Sequence, residues 1–384
     1  MARVLFGMQV ARIAQSMVSV AMVLFTLTVY DSAVLAGLVA VALALPGIIF
    51  SPVAGALLDR HGRMRLVMVD YTLAATSLGL IAGLALAGRL PAWLLLSIAA
   101  GSSLTSPLST AGLRSLWPIL VPRPLWERAN AADSVGYVFA TVIGPPLAGV
   151  IVQVWGPAQA LAVIGVVFVV AAVVMLGIAE PRVGASSTGR LLVDAWQGLV
   201  YTWRNRTLRG LGVAISALNV AWGVNTIVIP LIVLDRLGGG PALVGAIFAV
   251  QGLGGVISSM LAGRVDSRGR ERRMMVYPML ASGLVVALFL VDAGLGPVLI
   301  AVVLFGLLNG PLDVAMFTLR QRRTDPAWMG RAFAVSMSFN YLGFPIGSGL
   351  AGAIAGRSLD GAILVAIVAS FVAAAAAAVL IPGD

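Results

Sequence analysis

Charge is absent from this chain for stretch after stretch: 13–30, 34–58, 90–113, 210–234, 237–263, 274–291, 293–312, 332–356 and 361–383. Residues 66–88 form another such stretch, with one carboxylate inside, Asp70. A helix rising ~1.5 Å per residue needs about 20 apolar residues to cross a ~30 Å hydrocarbon core. The run 134–179 is long enough for two crossings and divides at Trp155-Gly156-Pro157. Twelve membrane-spanning helices are therefore predicted, an all-α integral membrane protein. Composition agrees: 60% of the 384 residues are hydrophobic and 10% are charged, whereas a soluble domain is about a quarter charged.

An even number of spans puts both termini on one side. Alternating the loops then sends Arg89, Arg236 and Arg357 to one face and every other arginine to the opposite one. The positive-inside rule makes the arginine-rich face cytoplasmic, with both termini there. The formal charge of +10 is thus a topology signal, and no nucleic-acid partner is expected. The first residues, MARVLFGMQVARIAQSMVSV, could pass for a signal peptide. Their apolar run continues past Tyr30 without a small-residue cleavage site, which predicts a retained first span.

There is no cysteine and one histidine, His61. Disulfides, thiolate metal sites and cysteine nucleophiles are excluded. No lysine and no phosphate-binding G-x-x-x-x-G-K-[ST] loop is present, which argues against an ATP-driven pump. No catalytic residues, cofactor or metal are predicted.

The connections are short except at 180–209. There Leu192, Ala195, Trp196, Leu199 and Trp203 share one face at helical spacing, with Arg190, Asp194, Gln197 and Arg204 mostly elsewhere. The pattern predicts a helix lying in the cytoplasmic interface. Domain limits follow: a six-helix bundle over 1–180, a linker over 181–209, and a second six-helix bundle over 210–384.

The halves repeat. GALLDRHGRMR, residues 55–65, has a counterpart in RVDSRGRERR, 264–273, with Asp59 on Asp266, Gly62 on Gly269, Arg63 on Arg270 and Arg65 on Arg272. SPLSTAG (106–112) matches GPLDVAM (310–316), and IGPPLAG (143–149) matches GFPIGSG (343–349). The same landmarks in the same order imply two pseudo-symmetric bundles.

On these motifs the chain resembles a major facilitator superfamily transporter along nearly its whole length. GALLDRHGRMR is similar to that family's loop between helices two and three, G-x-x-x-D-R-x-G-R-[RK], with Arg65 one position late. GPPLAG, with Gly144, Pro145 and Gly149, resembles the helix-five element of the drug:proton antiporter branch. RSLWPILVPRPLWERANAADS (114–134) resembles the connection between helices four and five in macrolide and siderophore exporters. The resemblance implies proton exchange and a place in the inner (plasma) membrane of a bacterium. One departure stands out: where that branch commonly has Gly-Asp early in helix one, this chain has Ala14-Gln15.

Physically, the charged loop reads as a switchable clasp. Gly55 allows close helix approach and Gly62 a tight turn. Asp59, Arg60, Arg63, Arg65, Asp70, Arg114 and Asp133 map to one membrane face, as do Asp266, Gly269 and Arg270 in the second half. Half-solvated ion pairs there, each worth ~1–3 kcal/mol, can bias two conformations without locking either. Arginines that only set topology would need no aspartate or glycine at fixed places. Asp59→Asn is expected to abolish transport and leave membrane insertion intact; transport rates and insertion assays of that variant check it.

Polar residues inside apolar spans point to a binding cavity near the membrane midplane. The candidates are Gln15 and Ser19 on helix one, Tyr137 on helix five, and Asn219, Trp222 and Asn225 on helix seven. Gln251 follows on helix eight, Asn309 on helix ten, and Asn340 and Tyr341 on helix eleven. Lone serines equally serve as helix–helix hydrogen bonds. Asp313, in mid-helix, costs ~2.5–3.5 kcal/mol to insert. Unpartnered it is a proton carrier; paired with Arg12 it is a lock between halves; protonation would open that lock.

The leading expectation is a secondary transporter exporting a small amphiphilic organic compound, a drug or siderophore-like metabolite, by alternating access in exchange for protons. A proton-coupled importer or facilitator is the first alternative, and a non-transporting receptor or scaffold, or a membrane-embedded enzyme, are weaker ones. The expected partners are the lipid bilayer, a small-molecule substrate and protons, and the expected state is a monomer.

Overall fold

A computed structural model describes residues 2–120, 126–178, 191–325 and 328–383. Side chains at 2, 52, 55, 56, 59, 114–120, 126–132, 134, 191–195 and 329–334 are outside the described set. Gly55, Asp59 and Arg114 of the predicted clasp, and Leu192, Asp194 and Ala195 of the linker helix, fall there. So does Arg190.

The first half holds α1 (Ala2–Tyr30), α2 (Ala33–His61), α3 (Arg63–Leu86), α4 (Ala92–Leu120), α5 (Trp126–Trp155) and α6 (Pro157–Met175). Then come α7 (Leu191–Arg204), α8 (Arg206–Leu231), α9 (Pro241–Ala262), α10 (Glu271–Val286) and α11 (Leu295–Arg323). The chain closes with α12 (Met329–Tyr341), α13 (Gly343–Ala355) and α14 (Leu359–Leu380). Among the described residues there is no strand, and ten helices are long and apolar enough to cross a membrane. Two of the twelve predicted crossings are not among those ten. One is α4, rich in serine at 97, 102, 103, 106 and 109. The other is helix eleven, which breaks at Leu342 into α12 and α13. Pro345 explains the break: it lacks the N–H that would bond the Tyr341 carbonyl, and its ring crowds that carbonyl.

The chain divides into two compact units, Met1–Asp31 with Ala42–Leu192, and Ser32–Val41 with Val193–Asp384. In the first, α1 packs on α5 and α6, and α3 on α4 and α6. Tyr71 and Phe168, both buried, meet at 5.9 Å between ring centroids. In the second, α8 is the hub for α12, α13 and α14, while α9 lies along α11. Leu211, Ile215, Met275, Met279, Leu312 and Leu319 form its core.

The boundary differs from the predicted domain limits in two places. The first turns of α2 belong with the second unit because Gly37 and Gly352 let α2 and α13 meet backbone to backbone. A Cβ on Gly37 would lie 2.5 Å from the Ser348 carbonyl oxygen, and one on Gly352 2.7 Å from that of Ala33. The linker helix α7 also belongs with the second unit. Tyr201 stacks on Trp328 at 4.9 Å, and Asn205 donates from Nδ2 to the Arg323 carbonyl at 2.9 Å. The same Asn205 caps α8, its Oδ1 accepting from the N–H groups of Thr207 and Leu208.

The repeat seen in the sequence extends to contacts. Gly62 has φ 87° and joins α2 to α3; Gly269, its counterpart, has φ 68° and leads into α10. Both take the left-handed conformation that glycine alone adopts without cost. Gly144 packs α5 against Ser16 of α1, and Gly343 packs α13 against Ser216 of α8. Gly47 rests on the Ser103 carbonyl in α4, and Gly254, its equivalent, on the Val303 carbonyl in α11. A Cβ on Gly347 would run into the Val220 carbonyl. Gly347→Leu is expected to force α8 and α13 apart and lower stability by about 1–3 kcal/mol or more, read as a drop in the unfolding temperature in detergent.

Candidate functional site

In the first unit, polar groups from four helices converge. Arg12 and Gln15 lie one turn apart on α1, hence on one face. The Arg12 guanidinium donates from Nη2 to Asp133 Oδ1 at 2.6 Å and from Nη1 to the Asp133 carbonyl at 2.8 Å. Both side chains are about nine-tenths buried, at 10% and 11% exposure. The guanidinium also lies 6.0 Å from the Tyr137 ring centroid. Gln15 donates to Ser109 Oγ at 3.1 Å. Asp70 is buried on α3 beside Ser109 and Thr105 of α4. The polar line therefore runs from α3 through α4 and α1 to α5. Close helix approach makes it possible: Gly136 leaves room for Gln9, whose amide donates to the Gly136 carbonyl at 2.8 Å.

Arg12 was weighed above as a partner for Asp313. The structure corrects that pairing: Arg12 is bound to Asp133, a residue of its own unit that the α1–α5 contact brings to it.

In the second unit, Asp313 occupies the position equivalent to Ser109. It is exposed in the body of α11, and no hydrogen bond or ion pair to it occurs among the described residues. Two turns further along the same face lies Arg320, fully buried. With the Asn340 amide oriented to suit its neighbours, Asn340 Oδ1 accepts from Arg320 Nη2 at 2.7 Å and its nitrogen donates to the Ser336 carbonyl at 3.0 Å. The Arg320 guanidinium also lies 5.9 Å from the Phe317 ring centroid. Sequence reading treated Arg320 as one more helix-end arginine. Its spacing from Asp313 and Phe317 on one helix face was the signal available.

The predicted cavity residues divide. Ser19, Tyr137 and Tyr341 are exposed, and Gln15, Trp222 and Asn309 are half-buried. Asn225, Gln251 and Asn340 are buried at 3–4% exposure in this structure. Amides in apolar spans bond neighbouring helices when they can, as Asn340 does. Asn219 does likewise, donating to the Asn340 carbonyl at 2.9 Å next to the α12–α13 break. Trp222 meets Phe305 edge to face at 5.2 Å. Gly144 and Pro145 lie within the unbroken α5, as does Gly149. Among the clasp residues, Arg60, Arg65, Asp266 and Arg270 are exposed, and Asp266 Oδ1 accepts from the Arg268 N–H at 3.1 Å. Among the described residues no group of three or more His, Cys, Asp or Glu stands together as a metal cage.

Repeated helical units, a glycine-turned charged loop in each, and charges held inside apolar spans define a multi-pass membrane transporter of the major facilitator fold. A family profile described as transmembrane secretion effector, within that superfamily, matches residues 2–382. The chain belongs to this family. It is 37% identical, over 99% of its length and 94% of the relative's, to the MFS-type transporter y4rN of Sinorhizobium fredii. It is 20% identical to macrolide efflux protein A of Streptococcus pyogenes, over 91% of this chain and 88% of that one. Identity to the multidrug efflux pump Tap of Mycobacterium tuberculosis is 27%, over 83% and 78% of the two chains. Among solved structures, a mutant of the nucleoside transporter NupG superposes with a TM-score of 0.80 at 13% identity, over 99% of this chain and 100% of that one.

Proposed function

We propose that this transporter exports a small, partly apolar organic compound in exchange for protons, by alternating access. The observation that carries the reading is nearly full-length similarity to two kinds of efflux protein. Asp313 supports it: a carboxylate open on a membrane helix without a cation is suited to take up and release a proton. The Arg12–Asp133 pair is the conformational element, an ion pair whose partners sit on different helices of one unit. Trp222, Asn309 and Tyr341 offer the mixture of aromatic and polar contacts that an amphiphilic ligand needs. In this reading the arginine-rich face is cytoplasmic and holds both termini.

The test is reconstitution into liposomes with a pH gradient imposed in either direction, following hydrophobic cations and a siderophore. Substrate movement against proton flow is expected. Movement with the protons would replace export by import, and flux indifferent to the gradient would make the protein a facilitator.

A further inference from the structure

The second unit carries an apolar groove that transport chemistry leaves unused. It begins as a cavity of about 300 Å³ walled by Trp203, Leu208, Val213 and Phe339, with Arg209 in its rim. It continues as a cavity of about 390 Å³ walled by Leu364, Val365 and Val368 of α14. Ala217 and Val220 line both, so the two form one groove along α8. From Leu208 to Val220 the helix rises about 18 Å at ~1.5 Å per residue. That is close to the depth of one leaflet of a ~30 Å hydrocarbon core.

The two ends of this stretch differ in chemistry. Below Arg209 the walls are almost wholly apolar. At the head, Arg204, Arg206 and Arg209 cluster around the α7–α8 junction, and the first turn of α8 has no acid. Arg204 and Arg206 are exposed. The indole of Trp203 is half open and leans on Phe339 at 6.1 Å between centroids, forming a lip; Trp196 is open beside it on α7. Tryptophan favours the depth of lipid headgroups. The Asp325 backbone N–H donates to the Tyr201 hydroxyl at 3.0 Å, on the opposite side of α7 from Trp203. The Asn205 cap and its bond to the Arg323 carbonyl hold this junction in place.

We propose that the groove binds one anionic phospholipid, its acyl chain lying along α8 and its phosphate held by Arg204, Arg206 and Arg209. Positive charge and interfacial indole at one end, with a leaflet-deep apolar trough below, are complementary to such a molecule.

The purified full chain is titrated with phosphatidylglycerol or phosphatidylcholine and the retained lipid is counted by native mass spectrometry. The wild type should retain one phosphatidylglycerol in clear preference to phosphatidylcholine. Joint Arg204→Gln, Arg206→Gln and Arg209→Gln substitution should remove the preference. Val213→Trp, at an already open position in the groove wall, should remove retention of either lipid. Neutralising Arg264, Arg268 and Arg273 instead should change neither. Equal retention of the two lipids by the wild type, or unchanged retention in the arginine or Val213 variant, overturns the proposal. The readout is bound lipid, so the outcome is separate from that of the transport assay.

Discussion

Asp313→Asn is expected to reduce pH-driven efflux to the level of empty liposomes while the protein inserts, folds and still exchanges substrate across the membrane. Asparagine keeps the shape of the side chain and removes its charge. Nothing in the described structure binds the Asp313 carboxylate, so no partner loses a bond. A charge at mid-membrane costs ~2.5–3.5 kcal/mol, and losing it should leave the unfolding temperature equal or higher. A residue with only a structural role would show the reverse pattern, falling stability with transport retained. The decisive comparison pairs gradient-driven efflux with substrate exchange at equal pH on both sides. Full gradient-driven efflux in the variant would remove Asp313 from the mechanism.

The second large effect concerns Arg12 and Asp133. Each is buried, and the two make a 2.6 Å ion pair reinforced through the Asp133 carbonyl. Asp133→Leu alone strands the Arg12 guanidinium, at a cost of about 3–5 kcal/mol, and Arg12→Met removes the same pair. Replacing both should be near neutral for stability, because well-packed apolar side chains often substitute for a buried pair without loss. Thermal unfolding of all four members of the cycle separates these outcomes. Single variants as stable as the wild type would show the pair to be solvated. If the pair is the conformational element, the double variant folds and fails to transport; if it is only structural, the double variant transports normally.

Much of the fold was legible because a bilayer imposes a simple rule. Every backbone polar group must be satisfied within the segment, so an uncharged run of sufficient length is a helix. The repeat was legible too, since glycine and proline positions report backbone demands. Gly62 and Gly269 take the positive φ of the turns they make, a conformation that glycine alone adopts without cost.

Side-chain partners were less legible. Arg12 and Asp313 could be matched on sequence by charge and depth, yet the α1–α5 packing puts Asp133 against Arg12. Asn225, Gln251 and Asn340 read as cavity polar groups, and all three are buried in the structure. Arg320 looked like a topology charge until α12 folded over it with Asn340.

From its amino acids alone, then, this chain is a repeated set of membrane helices joined by charged turns, because hydrophobic length and charge placement act locally along the chain. Which polar group meets which was decided only in three dimensions. Packing distance and helix rotation bring together residues more than a hundred positions apart, as Arg12 and Asp133 are, and no local pattern encodes that choice.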